Sequence, residues 1–313
     1  MRVVFFGSGT FSVPSLRAVL ASTHEVVGIY TQPARPAGRG GHARPTPIAE
    51  AARSAGQDVT ECANINAPDV LAELQSLRPD VICVVDFGQF IKQAVLDVPP
   101  LGVFNLHGSL LPLLRGAAPV QWALIRGFET TGVTSFRIVL AMDAGPIYLQ
   151  DAVTIDPEDT AEQLKLRLSQ LGARAVCRTL DLLDDSSAEA IEQDHSLATK
   201  APRLKKTDGR IDWSADAVTI HNLVRGCWPW PGGQAVVRRQ CGKDVPVTIA
   251  RSKVLPGPAS GPAGTLDEEM AVATGSGRLC IEEIRPAGKR LMTWIDFING
   301  YRLKPGDCLL SVQ

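Results

Sequence analysis

The sequence predicts an α/β fold in two parts: a mostly parallel β-sheet flanked by helices, followed by a small β-barrel. Three observations predict it. Short apolar runs alternate with helical patterns up to about residue 183, as repeated βαβ units require. A polar, basic stretch with little periodicity then interrupts the alternation. Beyond it, brief β-like runs punctuated by Gly and Pro take over.

Residues 2–6 form the first apolar run, closed by Gly7-Ser8-Gly9; a helical pattern through Leu16, Val19 and Leu20 leads to a second run at 26–30. Together these make one βαβ unit. Further strands are predicted at 81–85 and 103–106, with helices at 67–77 and 119–125, and 133–140 reads as a late strand. Thr160 and Gln163 carry the spacing of a capping box, in which the two side chains each satisfy the other's backbone N–H. A long amphipathic helix toward Leu183 follows, and the first domain is expected to span 1–189. Residues 190–207, with Lys200, Arg203, Lys205 and Lys206, read as a linker, and 208–313 as the barrel. Its expected elements are a helix at 217–225 and strands at 235–238, 245–250, 270–274 and 279–284, with 255–264 as a loop. Short strands at close spacing suit a barrel of the oligonucleotide-binding type.

At 313 residues the chain exceeds what one hydrophobic core usually supports. Its 45% apolar and 21% charged residues are those of an ordinary globular protein. No apolar run approaches the eighteen or so residues of a membrane-spanning helix, and the short run after Arg2 lacks the form of a secretory leader. A soluble, cytoplasmic protein is expected. The seven cysteines are scattered without CxxC spacing, which argues against a disulfide framework and a zinc knuckle. Net charge is -1, so a polyanionic partner must be met by a local basic surface. From Lys205 onward there are 15 Lys plus Arg against 11 Asp plus Glu, net +4, with net -5 before it. That asymmetry has the sign expected of a carboxy-terminal domain that helps hold a polyanion.

Gly7-Ser8-Gly9 opens like a dinucleotide fingerprint. Ser12 occupies the third glycine position, and the second strand ends in Tyr30-Thr31-Gln32 without the acid that grips a ribose. A tight turn is the better reading. More informative is Asn105-Leu106-His107-Gly108-Ser109-Leu110-Leu111-Pro112. Strand alternation puts Asn105 and His107 on one face, at the end where open parallel sheets bind ligands. An amide beside an imidazole suits acyl transfer, since both can donate to an oxyanion and His can relay a proton. A strand-end His is equally often structural. Asp143, in Ala141-Met142-Asp143-Ala144-Gly145 after the late strand, reaches the same sheet edge if that strand is parallel. A carboxylate there orients the imidazole or accepts a proton; its bland alternative is a turn residue before Gly. No Ser or Cys sits in a nucleophile elbow, which favours direct transfer to an amine.

The run 105–112, with Arg115-Gly116-Ala117-Ala118-Pro119, resembles the signature of the folate-dependent formyltransferases. Thr31-Gln32-Pro33, the Arg35 to Gly40 stretch, Gly209-Arg210-Ile211-Asp212-Trp213, Arg225 and Pro229-Trp230-Pro231-Gly232 are similar to those members that act on methionyl-tRNA. The resemblance covers essentially the whole chain. It implies a Rossmann-like catalytic domain, a linker and a barrel; Asn105, His107 and Asp143 as the catalytic set; and Gly88, Ser109, Leu110, Leu111 and Pro112 at the folate site. It further implies 10-formyltetrahydrofolate as formyl donor, tetrahydrofolate as product, initiator methionyl-tRNA as acceptor, and no need of a metal. A monomer is expected, though no motif speaks to oligomeric state.

The basic segment 32–47 is too irregular for helix or strand and long for a passive connection. The basic linker residues Lys200, Arg203, Lys205 and Lys206 can follow a tRNA backbone, though such runs are usually just solvated. The resemblance implies that the 32–47 loop enters the acceptor arm, with Arg39 or a neighbour such as Arg35 as its contact. Without it, a solvated mobile loop is the default. Trp228 and Trp230 can stack on bases, though core packing is the expected role. The chain departs from the pattern at Asp86-Phe87, where Ala-Tyr is more usual, at Gly41-His42, where lysines are, and at Pro146, often acidic. Competing readings are a formyltransferase for an amino sugar nucleotide, a formyl-folate hydrolase, and a nonenzymatic RNA- or nucleotide-binding module.

Overall fold

The computed structural model describes residues 1–36, 43–239 and 243–312. They divide into two compact units, one of Met1–Pro119, Thr130–Thr154 and Lys165–Ala201, the other of Val120–Glu129, Ile155–Leu164 and Pro202–Gln313. The elements run β1 Arg2–Gly7, α1 Val13–Leu20, β2 Glu25–Thr31, β3 Arg35–Pro36, β4 Ala43–Arg44, α2 Pro47–Ser54, β5 Thr60–Glu61, α3 Pro68–Leu77, β6 Val81–Val85, α4 Gln93–Leu96 and β7 Val103–His107. Then come α5 Pro119–Ile125, β8 Thr130–Arg137, β9 Ile147–Thr154 and α6 Ala161–Asp184. Among the described residues no helix is long and apolar enough to cross a membrane.

The first unit is built on a seven-stranded sheet in the order β5-β2-β1-β6-β7-β8-β9. From β5 to β7 the strands are parallel. Gly7 pairs with Val85, and Val85 with Leu106, so β1, β6 and β7 end level with one another. Winding reverses between β1 and β6, which opens a crevice at those ends. Both faces of the sheet are covered. Val4, Phe6, Ile82, Val84 and Val103 pack with Leu74 of α3 on one face. On the other, Ser135 bonds Thr179 of α6 at 2.6 Å.

The late strand differs from the expected 133–140. It is β8, Thr130–Arg137, and it runs antiparallel to β7, with His107 opposite Thr134 and Phe104 opposite Arg137. Its carboxyl end therefore lies beside the start of β7, and strand direction alone would not bring Asp143 to the site. The connection 138–146 does so by folding back before β9. Alternation cannot report direction, which is why a parallel and an antiparallel strand read alike. The segment 32–47 is likewise more regular than expected: Arg35 pairs with Arg44, and Pro36 with Ala43, in a short antiparallel ladder.

In the second unit, α7 Ala217–Cys227 is followed by β10 Gly233–Arg238, β11 Val245–Leu255, β12 Val272–Ala273, β13 Arg278–Pro286, β14 Met292–Thr293, α8 Trp294–Tyr301 and β15 Cys308–Ser311. The antiparallel order is β12-β13-β11-β10-β15, with β14 on β13. Residues 264–266 join the two edges: Gly264 N–H donates to Ala273 O and Ala273 N–H to Thr265 O, while Leu309 N–H donates to Gly264 O and Leu266 N–H to Asp307 O. This satisfies both edges and closes the barrel. Ile220 and Val224 of α7 join Ala235, Val237, Ile249 and Ile281 in its core.

Burial pushes the Cys227 thiol up to about 12, and the wholly enclosed Cys83 upward as well. The thiolate is the reactive form. Iodoacetamide at pH 8 should therefore leave both cysteines unmodified in the folded protein and label both in urea, as read by peptide mass. Labelling of Cys227 in the folded chain would contradict this packing.

Candidate active site

The site begins with β7. Leu106 is buried on the face opposite Asn105 and His107, as alternation requires. Asn105 is half-buried, and its side-chain amide makes no hydrogen bond among the described residues. An amide left free at a strand end is available to a ligand. His107 is 6% exposed, and its Nε2 lies 2.9 Å from Leu114 O. A carbonyl only accepts, so Nε2 carries a hydrogen and Nδ1 is the nitrogen left for chemistry. Nδ1 faces Asp143 Oδ2 at 3.9 Å, too far for a hydrogen bond.

Asp143 sits at φ +49°, a left-handed conformation that costs a non-Gly residue on the order of 1–3 kcal/mol. Its surroundings hold it there. Gly116 N–H donates to Oδ2 at 2.8 Å, and Gln193 Nε2 donates to the carbonyls of Asp143 and Gly145 at 3.0 and 2.7 Å. Two glycines permit the approach. A Cβ on Gly116, at φ +127°, would stand 2.5 Å from Ala201 O, and one on Gly145 would stand 1.8 Å from Arg137 O. The turn-before-glycine reading of Asp143 is thus correct about the backbone, and the carboxylate faces the imidazole all the same.

Residues 109–114 are bolted to the sheet. The buried Ser109 hydroxyl donates to Leu113 O at 2.6 Å, so it is spent within the loop. Thr134 Oγ1 donates to Ser109 O at 2.6 Å and accepts from Leu111 N–H at 3.1 Å. Gln150 Nε2 donates to Leu111 O at 2.8 Å. Leu111 is buried, whereas Leu110 and Pro112 are half-buried and offer the loop's apolar surface. Thr134 is fully buried, and Thr134→Val would leave these backbone groups without their partner. Urea unfolding should show a loss of about 1–3 kcal/mol, with Thr134→Ser close to the parent.

At the crevice, Ser8 N–H and Gly9 N–H both donate to Asp86 O, at 3.1 and 3.3 Å. The glycine turn is therefore closed internally, which agrees with the tight-turn reading. The Asp86 carboxylate lies 3.5 Å from Lys165 Nζ, so this added charge has a cation beside it. Gly88 is exposed next to Phe87, whose carbonyl accepts from Ser8 Oγ and Gln32 Nε2.

Lys200, Arg203, Lys205 and Lys206 are all exposed. Arg35 opens β3, while Arg39, Gly41 and His42 lie outside the described residues. One expectation is corrected: Trp230 is 58% exposed and takes no part in the barrel core. Its neighbour Trp228 lies under the Arg285 guanidinium, 5.4 Å from the ring centroid. The flanking prolines interrupt the 217–227 helix, which leaves the tryptophans on a loop.

The sequence profile described as Formyl transferase matches residues 1–180, and that of the Formyl transferase C-terminal domain matches 203–302. A methionyl-tRNA formyltransferase of Solibacter usitatus is 40% identical over 99% of this chain and 98% of its own length. One of Geotalea uraniireducens is 39% identical with the same coverage. The chain belongs to the methionyl-tRNA formyltransferase family. Among solved structures, the N-formyltransferase from Helicobacter canadensis, in complex with folinic acid and dTDP-3-aminofucose, superposes with a TM-score of 0.67 at 17% identity, over 89% of this chain and 98% of that one. HypX from Aquifex aeolicus in complex with tetrahydrofolic acid gives 0.63 at 17% identity, over 96% of this chain and 47% of HypX. This chain spans about half the length of HypX. At such identities the likeness is one of fold.

Sequence reasoning missed Leu114, Thr134, Gln150 and Gln193. Leu114 acts through its carbonyl, which no side-chain pattern reveals. Thr134 and Gln150 are ordinary residues of strands whose pairing was unknown. Gln193 fell in a segment read as a linker.

Proposed function

We propose that this chain transfers the formyl group of 10-formyltetrahydrofolate to the α-amino group of methionyl initiator tRNA. The observation that carries the reading is the arrangement of Asn105, His107 Nδ1 and Asp143: an unbonded amide donor beside an imidazole nitrogen that faces a carboxylate at 3.9 Å. The 3.9 Å separation suits a group that must serve the substrate before it serves its neighbour, since catalytic contacts often tighten only with substrate bound.

The amine nitrogen attacks the formyl carbon, forming the new C–N bond and moving the carbonyl electron pair onto oxygen. Asn105 donates to that oxygen, and so does His107 through Nδ1 in its imidazolium form, with Nε2–H still on Leu114 O, each worth about 3–4 kcal/mol by analogy with other oxyanion donors. Asp143 takes the proton the amine sheds. Collapse breaks the bond from carbon to folate nitrogen, whose electron pair takes up the proton that Asp143 received, and tetrahydrofolate leaves with the carboxylate restored. Leu110 and Pro112 offer the donor an apolar wall, backed by the buried Ser109 and Leu111 of the same loop, and the exposed Gly88, after β6, is the further residue assigned to the folate site. No step calls on a metal.

Catalysis belongs to the first unit and tRNA binding to the barrel, with the exposed Lys200, Arg203, Lys205 and Lys206, and Arg35 and Arg39, following phosphates. The protein acts as a cytoplasmic monomer. The test is transfer of labelled formyl to charged initiator tRNA, run beside free methionine, an amino sugar nucleotide and no acceptor. Labelling of the tRNA supports the reading; labelled sugar, or formate without an acceptor, would replace it with one of its rivals.

A further inference from the structure

Gln193 is 6% exposed, and its amide is fully used. Oε1 accepts from Arg115 Nε at 3.2 Å and Nη2 at 2.6 Å, while Nε2 donates to Asp143 O at 3.0 Å and Gly145 O at 2.7 Å. Only an amide meets both demands, an acceptor toward a cation and a donor toward two carbonyls; a carboxylate cannot donate and an ammonium cannot accept. The segment carrying Gln193 is strapped down on either side. Ile191 exchanges backbone hydrogen bonds with Ile147, Arg115 N–H donates to Thr199 O, Ala201 N–H donates to Arg115 O, and the Arg115 guanidinium also reaches His195 Nδ1 at 2.9 Å.

We propose that Gln193 is a positioning residue for Asp143, setting where its carboxylate stands relative to His107. Two ties run from the one amide. The first grips the Asp143 backbone, which is held in the left-handed region at φ +49°. The second grips Arg115, whose neighbour Gly116 supplies the N–H that Asp143 Oδ2 accepts. Backbone and carboxylate are thereby referred to the same fixed point. Without it the loop 138–146 relaxes toward an ordinary conformation, and the carboxylate moves away from its 3.9 Å station opposite Nδ1. Gln193 touches no reacting atom in this scheme, and it is separate from the folate loop, which Thr134 and Gln150 hold. The segment 190–207 is then a part of the catalytic apparatus as well as a connection.

The inference rests on the formyl-transfer reading, so the parent protein is assayed first with 10-formyltetrahydrofolate and methionyl initiator tRNA. No transfer by the parent would refute that reading and this inference with it. Given transfer, Gln193→Leu should lower kcat by about 100-fold, the scale of a catalytic group misplaced by about 1 Å, with both KM values within about twofold. The discriminating measurement is a cycle with Asp143→Ala: if Gln193 acts through Asp143, its loss on that background costs less than about twofold more. Losses that multiply, or a kcat for Gln193→Leu within twofold of the parent, would overturn the proposal while leaving formyl transfer intact. Should Gln193→Leu fail to fold, the near-isosteric Gln193→Glu takes its place. It sets a carboxylate oxygen against the Asp143 and Gly145 carbonyls, and the same kcat loss and the same non-additivity are required of it.

Discussion

Asn105→Ala should lower kcat for formyl transfer by about 10²- to 10³-fold, the loss that follows removal of one oxyanion donor. KM for methionyl-tRNA should stay within a few-fold, since the bond is made to an oxygen whose charge develops only in the transition state. The structure makes this variant unusually clean. The Asn105 amide holds nothing else among the described residues, and its half-buried position lets a methyl group replace it without orphaning a partner. Unfolding free energy should therefore change by no more than about 0.5 kcal/mol, as at sites free of the usual destabilising mechanisms. Single-turnover transfer with prebound folate, alongside urea unfolding, measures both quantities. A kcat within threefold of the parent would remove Asn105 from the catalytic set.

Asn105 and His107 were readable because the physics that places them is local. A strand of alternating residues puts them on one face whatever lies around it, and both lie on the strand 103–107 at the level where the parallel strands end. Burial of Val81–Val85 and the capping box at Thr160 were legible on the same grounds. Asp143 was found for a partly mistaken reason. Its motif and the family resemblance identified it, but the parallel strand assumed to deliver it is antiparallel, and a loop held by Gln193, Gly116 and Gly145 does the work instead. What escaped was everything that depends on pairing between distant segments. Thr134 is unremarkable until its register places it opposite His107, and Gln193 until Ile191 is bonded to Ile147. Trp230 escaped for the opposite reason: an aromatic between prolines looks like core, and only the finished barrel shows that the core is complete without it.

The second large effect falls on Asp143, and the choice of replacement separates its two duties. Asp143→Asn keeps an oxygen that can accept the Gly116 N–H, so the loop geometry at 2.8 Å has what it needs, but it has no basic oxygen to receive the proton shed by the amine. Asp143→Ala loses both. If proton acceptance is the dominant duty, the two variants should fall by similar factors, about 10²- to 10⁴-fold in kcat, the range of general acid–base contributions. If orientation dominates, Asp143→Asn should retain most of the activity that Asp143→Ala loses. The geometry favours the first outcome. At 3.9 Å from Nδ1, Oδ2 makes no hydrogen bond that would lock the imidazole, whereas Nε2 is already locked by Leu114 O at 2.9 Å. His107 is thus oriented without Asp143, and what the carboxylate alone provides is a proton acceptor beside the amine. The ratio of the two variants' single-turnover rates decides the matter: near-equal losses mark a proton acceptor, and a far smaller loss in Asp143→Asn marks an orienting group.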